Sequence, residues 1–347
     1  MDKKCYICSK NNSYDYGYNI ILTEGLDSPG KNVHVCTTCL TTQMKFCSMC
    51  GTNQYYSTNL SVINKWSGQY CCKKHADVNP SYKKIIDGGK AETYIGFIGK
   101  PLDNLYLGVE LEAEVEGNTE KKTLETIISD IFDLFDNFII IKTDGSLTGN
   151  GIEIVSAPAP FDVHTTAWNK FLDECHTKLR SNVFSNGTAT NCGMHVHFSR
   201  KALTVIEIGK VAYFINTADN NKLIEDIAGR YNTNYCAIRT VTKTNYETFG
   251  YTDRAYRRSA VNNTNTNTVE FRIFKGTLNP VLFMKNIEFT HAIVTFAKTV
   301  DIDKLNTKEF SMFVGLNGGI YPNLTKFLIY KGYLDGDKEK DSVFKQK

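Results

Sequence analysis

The side chains with the strongest claim on chemistry in this 347-residue chain lie in four short segments that alternate apolar and polar residues. The first, residues 105–115, puts Leu105, Leu107, Val109, Leu111, Ala113 and Val115 at odd positions and Glu110, Glu112 and Glu114 at even ones. Strict alternation over that length predicts a half-buried β-strand, with three carboxylates on one face in steps of about 7 Å. Like charges in such a row repel unless water or a cation lies against them. A single polar face of this kind reads as a solvated outer strand, but three more segments share the design. Residues 151–156 set Ile152 and Ile154 against Glu153. Residues 192–199 set Met194, Val196 and Phe198 against His195, His197 and Ser199. Residues 268–274 set Val269, Phe271 and Ile273 against Glu270 and Arg272. Four strands presenting Glu, His or Arg predict an antiparallel sheet whose polar face is a metal and anion site. Carboxylates joined by an imidazole suit Mg²⁺ or Mn²⁺.

A second chemistry fills the front of the chain. Eight of the eleven cysteines precede residue 73, as Cys5-x-x-Cys8, Cys36-x-x-Cys39, Cys47-x-x-Cys50 and Cys71-Cys72-x-x-His75. Two residues between ligands let a knuckle turn aim both sulfurs at one tetrahedral ion, and four such pairs predict zinc. Cys72 fits the spacing to His75 better than Cys71 does. Disulfides are the alternative. The opening residues carry no apolar signal segment, so a reducing, cytoplasmic setting is expected, and disulfides are rare there. The second and fourth pairs lead into stretches with helical character, the layout of treble-clef fingers. Sequential pairing gives two structural sites: Cys5, Cys8, Cys36 and Cys39, then Cys47, Cys50, Cys72 and His75. Cross-braced pairing of first with third and second with fourth is the other option, and His34 is an alternative ligand beside Cys36. Closed four-ligand sites of this kind let a small domain fold.

The elements that must position these groups follow from periodicity. Leu124, Ile127, Ile128, Ile131, Leu134 and Phe135 keep helical spacing, and residues 160–180, 204–229 and 279–298 also read as helices. Pro280 stands near the start of the last, where proline is tolerated. Helices covering the apolar face give an α+β domain: an antiparallel sheet with helices on one face. The Asn- and Thr-rich stretch 261–268 reads as a loop feeding the last strand, with asparagines able to reach the site. A composition shift near Asp87-Gly88-Gly89-Lys90 predicts two parts: a zinc module over 1–90 and a catalytic domain over 91–347.

Composition narrows the function. Net charge is +3 from 40 basic and 37 acidic residues, too balanced to argue for nucleic-acid binding on its own. No apolar run approaches the roughly 20 residues of a membrane span. All eight arginines fall between Arg180 and Arg272, although lysines run the length of the chain. Clustering of the planar fork predicts that some of them grip phosphate or carboxylate. No Walker loop of the Gly-x-x-x-x-Gly-Lys-[Ser/Thr] form is present.

Five motifs then occur in a telling order: Gly108-Val-Glu-Leu-Glu112, Asp144-Gly-Ser-Leu147, Gly151-Ile-Glu-Ile154, Cys192-Gly-Met-His-Val-His-Phe-Ser199 and Val269-Glu-Phe-Arg-Ile-Phe-Lys-Gly-Thr-Leu278. In this order they resemble the amidoligases, relatives of glutamine synthetase and glutamate–cysteine ligase found in phage and bacterial genomes. The resemblance covers about residues 100–280 and says nothing firm about the zinc module. It implies ATP and Mg²⁺ or Mn²⁺ as cofactors and an acyl-phosphate route to an amide bond. It also implies roles: Glu110, His195 and Glu270 hold the metal that serves the nucleotide phosphates, while Glu112 and Glu153, completed by Asp144, hold another near the substrate. Arg272 holds transferred phosphate, His197 touches nucleotide or substrate, and Arg230, Arg257 and Arg258 are further phosphate or carboxylate grips. The substrates would be a carboxylate and an amine, on small molecules or on a peptide or protein. The setting would be the cytoplasm, including that of an infected bacterial host. Two other classes fit the same residues: a metal-dependent hydrolase using activated water, and an inactive ligase fold that docks a protein or nucleic acid through its zinc module.

Overall fold

The computed structural model describes residues 3–12, 18–24, 32–46, 54–57, 62–63, 70–73, 86–87, 97–99, 101, 103–115, 138–143, 151–178, 183–184, 192–230, 234–251, 257–337 and 344. The chain divides into two compact units, Met1–Lys84 and Ile85–Lys347. This division falls slightly before the expected boundary at residue 90, and Ile86–Asp87 pairs with a strand of the larger unit.

The smaller unit is built from short pieces. Strands Asn32–Val35, Tyr18–Glu24, Gln54–Ser57 and Met44–Phe46 form a four-stranded sheet in that order. Helix Thr37–Gln43 begins at once after Cys36, whose sulfur accepts the Cys39 N–H as a cap. Its described core cluster is Cys5, Val33, Val35, Cys36, Cys39 and Met44, half of it cysteine.

The larger unit carries eight described strands: β1 (Ile86–Asp87), β2 (Leu107–Val115), β3 (Ile139–Thr143), β4 (Gly151–Ser156), β5 (Val183–Phe184), β6 (Gly193–Ser199), β7 (Val261–Asn262) and β8 (Thr268–Lys275). They lie in the order β7-β8-β6-β2-β4-β3-β1, with β5 also against β2. Every pairing is antiparallel except β1 with β3. One face is apolar, and Leu107, Val109, Leu111, Ile154, Val196, Phe198, Val269 and Phe271 are all buried there. Helices α1 (Phe161–Lys178), α2 (Val205–Asn216), α3 (Asn221–Ala228), α4 (Pro280–Thr299), α5 (Thr307–Leu316) and α6 (Pro322–Lys331) join it in one core. Asn279 accepts the Leu282 N–H at 3.1 Å, so α4 starts with a cap and Pro280 in its first turn.

Three departures from the periodic reading have physical causes. The expected helix 204–229 is two helices, because Asn220 is buried and its amide donates to Phe214 O and Leu305 O, turning the chain between α2 and α3. A β-bulge between Met194 and Val196 sets both Arg272 and Ile273 against His195, so Phe274 as well as Ile273 is buried and packs on Phe271 and Phe289. The stretch 261–268 begins as strand β7, which pairs Val261 with Phe271 and Asn262 with Glu270. The expected helix at residues 124–135 lies outside the described residues.

Candidate active site

The sheet register builds the site. Glu110 on β2 lies opposite His195 on β6, Glu112 lies opposite Glu153 on β4, and His197 lies opposite Glu270 on β8. Side chains of opposite residues share a face, so strand pairing alone gathers groups up to 160 positions apart in the sequence (110 to 270).

Glu110, His195 and Glu270 each offer a ligand atom, and these atoms lie within 4.8 Å of one another. His195 Nδ1 is 3.3 Å from Glu110 Oε2 and 3.4 Å from Glu270 Oε1. Two carboxylates and one imidazole are a hard, oxygen-rich donor set that fits Mg²⁺ or Mn²⁺. Glu270 is held from behind. Asn262 Nδ2 donates to Glu270 Oε2 at 2.7 Å, and Arg272 Nη1 donates to Glu270 Oε1. Asn262 is fixed in turn, since its Oδ1 accepts the Thr264 N–H at 3.0 Å and hydroxyl at 2.7 Å.

The electrostatics match. Burial alone would raise the Glu110 carboxyl, but His197 and His195 hold it well below the usual carboxylate range. Burial works against a charged His197, yet Glu110, Glu270 and Glu153 outweigh it and lift its pKa to about 9. His197 Nε2 stands 3.3 Å from Glu110 Oε1, and its Nδ1 is 3.4 Å from the Thr268 hydroxyl.

Two guanidiniums border the cluster. Arg272 Nε donates to Tyr235 O at 3.2 Å, so this arginine bridges Glu270 to the segment after α3. Arg230 Nη2 donates to Arg272 O at 2.9 Å and lies 3.4 Å from His195 Nε2. It packs flat over Gly193, where a Cβ would overlap its guanidinium. Burial lowers its pKa, with Glu112 opposing.

The remaining expected residues are placed as follows. Glu112 accepts the Gly193 N–H, and its other oxygen is 3.8 Å from His195 Nε2. Glu153 pairs with Lys142 Nζ at 2.9 Å, a partner not anticipated because β3 shows no alternation. Arg257 and Arg258 are exposed, and Arg258 lies 5.5 Å from the centre of the Tyr235 ring. Asp144 lies outside the described residues. Asn262 and Lys142 are the site residues sequence reasoning did not single out; the asparagine-rich stretch was the signal for the first.

In the smaller unit Cys5, Cys8, Cys36 and Cys39 bring their sulfurs within 4.8 Å of one another, and none is in a disulfide. His34 is not in this group. The Cys36 N–H donates to Cys5 Sγ at 3.4 Å and the Cys39 N–H to Cys36 Sγ at 3.5 Å, the amide-to-sulfur bonds of a knuckle. Burial opposes ionisation of Cys5, but the Cys36, Cys8 and Ile7 amides win and bring it down to about 6. Burial and the neighbouring sulfurs push Cys39 up to about 12. Four thiols this close cannot all ionise without a cation, and a four-sulfur set fits Zn²⁺. Cys71 and Cys72 are buried; Cys47, Cys50 and His75 lie outside the described residues.

The class of the larger unit is therefore an α+β fold whose antiparallel sheet carries a carboxylate–imidazole cluster flanked by guanidiniums. No family model matches the sequence, and no curated protein does. Solved structures do. A novel glutamine synthase homolog overlays with a TM-score of 0.34 and 10% identity, over 66% of this chain and 65% of that one. The complex of the prokaryotic ubiquitin-like protein Pup with its ligase PafA gives 0.29 and 9%, over 69% and 60%. The chain thus spans less than two thirds of either neighbour. Likenesses this slight leave function to be argued from the site. No helix among the described residues is long and apolar enough to cross a membrane.

Proposed function

We propose that the larger unit is an ATP-dependent ligase that joins a carboxylate to an amine. One observation carries this reading: a Glu110–His195–Glu270 cluster of cation-binding type, buried at His195 and Glu270, with Arg230 and Arg272 at its border. Joining a carboxylate to an amine at neutral pH requires activation. Transfer of the γ-phosphoryl group to a carboxylate oxygen releases ADP. The amine then attacks the acyl carbon, phosphate leaves, and the amine gives up a proton. Every reactant in the first step is an anion, so the site must neutralise repulsion. Mg²⁺ or Mn²⁺ held by Glu110, His195 and Glu270 would supply that neutralisation at the nucleotide phosphates. Arg272 is the proposed grip on the transferred phosphoryl group, and Arg230 and His197 add positive charge beside it. Glu112 and Glu153 border the substrate side, where Asp144 is proposed to join them. Arg257 and Arg258 are proposed to meet the substrate from the rim. The five motifs shared in order with the amidoligases support the same reading. The four thiols favour a reducing compartment, so we place the protein in the cytoplasm, with structural Zn²⁺ in the smaller unit and a peptide or protein among the candidate acceptors.

The test is ADP release from ATP with Mg²⁺ or Mn²⁺ across paired carboxylate and amine acceptors, amino acids and peptides included. Glu270→Ala should lower the rate by at least about a hundred-fold, because it removes one donor and unpairs Arg272. A folded Glu270→Ala variant with full activity would sink the assignment. Product formed without ATP would replace the ligase by a hydrolase.

A further inference from the structure

A cavity in the larger unit shares no residue with the cluster. It holds about 280 Å³ and opens where the end of α3, the end of β8, the start of α4 and the outer helix α6 meet. Lys275, Lys285 and Lys331 line it against one carboxylate, Asp226. Asp226 is already engaged: Lys331 Nζ lies 2.9 Å away, and Lys222 and the Tyr333 hydroxyl also reach it. No ion pair reaches Lys275 among the described residues. Lys285 is only 3% exposed. It donates to Ile227 O and, at 2.7 Å, to Asn286 Oδ1, which leaves one of its three N–H groups over. The wall is aromatic: Lys285 Nζ lies 4.7 Å from the centre of the Phe327 ring, and Lys331 lies 5.9 Å from that of Tyr330.

A buried ammonium short of anions is costly. Burial, with Lys331 adding repulsion, pushes Lys285 down to about 7, and Glu288 on the next turn of α4 only partly opposes this. A cavity of this size with a cationic floor and ring-bearing walls matches a small ligand with an acidic group and a flat apolar body. We infer that this cavity is a binding site for a small aromatic anion, a phosphate or carboxylate carried on a ring, separate from the proposed ligase site.

Phenyl phosphate is the probe, with phenol and inorganic phosphate as comparators, titrated calorimetrically into the full chain. Phenyl phosphate should bind more tightly than either. Lys275→Glu and Lys285→Met should each weaken it about ten-fold or more, the size of one lost charge-assisted contact. Because Lys285 is buried, Lys275→Glu at the cavity wall serves as the variant that keeps the core. Arg272→Ala should leave the affinity unchanged, which separates this cavity from the proposed nucleotide site whether or not the ligase reading stands. Absence of binding at about 10 mM, indifference to both lysine changes, or a loss caused by Arg272→Ala would overturn the proposal.

Discussion

Glu270 shows how one side chain is fixed by chemistry from three directions. Asn262 takes Oε2, Arg272 takes Oε1, and His195 stands 3.4 Å from Oε1. Supports of this kind hold a ligand oxygen where a cation needs it, and removing one typically costs ten- to hundred-fold in metal affinity. Asn262 is the informative position because its two ends do different work. Its amide nitrogen serves Glu270, and its oxygen serves the turn at Thr264. Asn262→Asp keeps an acceptor for Thr264 but sets a carboxylate against Glu270. That variant should stay folded and bind Mn²⁺ about ten-fold or more weakly by calorimetry. Parent-like affinity would mean that the residue serves only the turn. Much of this site was legible in the sequence, since alternation alone put Glu110, Glu112, Glu153, His195 and Glu270 on polar faces. Which of them would meet was not legible, because register is set between strands and leaves no trace within one. Lys142 was hidden for a related reason: its strand opens on an apolar run, Ile139–Ile141, with no alternation before the lysine. Ile140 lies opposite Val155, itself opposite Glu110, so this edge of the polar face is apolar and the period-two signal vanishes.

At the scale of elements, α1 and α4 are tied down by two histidines, His164 buried and His291 half-buried. His164 on α1 lies 2.8 Å from Leu107 O on β2 and accepts the Trp168 indole N–H at 3.2 Å, locking helix to sheet. His291 on α4 stacks on Phe161 with ring centres 4.3 Å apart and lies 3.0 Å from the Tyr321 hydroxyl. Burial brings each pKa down to about 4. The folded pKa is thus below the unfolded value near 6.5, so the unfolded chain binds protons first. Stability is complete above pH 6.5 and is lost as pH falls from there towards 4, by up to about 3 kcal/mol per histidine. His291→Phe keeps the stack on Phe161 and removes one titrating group. Its melting temperature should fall less between pH 7 and pH 4.5 than that of the parent, and equal slopes would show that His291 takes up its proton alike in the folded and unfolded chain. The helices were partly legible. Long amphipathic stretches gave α1 and α4, whereas the short α5 and α6 were missed. Their signals are local: Asn306 accepts the Glu309 N–H at 3.0 Å, and Pro322 opens α6. The Glu288 carboxylate on α4 also accepts the Leu324 N–H at 2.7 Å, a long-range cap that no local pattern reveals.

For the whole molecule, the division at Lys84 and Ile85 separates two ways of being stable. The larger unit has a continuous apolar core running from Leu105 to Phe344, so burial can hold it. The described core cluster of the smaller unit has six residues, three of them cysteines, so there metal–sulfur bonds are expected to add to what apolar burial supplies. The two units should therefore respond independently to a chelator. Stripping zinc from the full chain should abolish the lower-temperature unfolding transition and leave the upper one in place. A chain beginning at Ile85 should fold alone and reproduce that upper transition. The starting point matters, because Ile86–Asp87 pairs in parallel with Lys142–Thr143, and Lys142 holds Glu153 at the site. A chain beginning at residue 91 loses that strand, exposes the β3 edge and should melt lower than the Ile85 chain. Zinc content by elemental analysis checks the other half: about two ions per full chain and none in the shortened one. Insolubility of the Ile85 chain, or one melting transition that shifts as a whole with chelator, would show that the smaller unit completes the larger core.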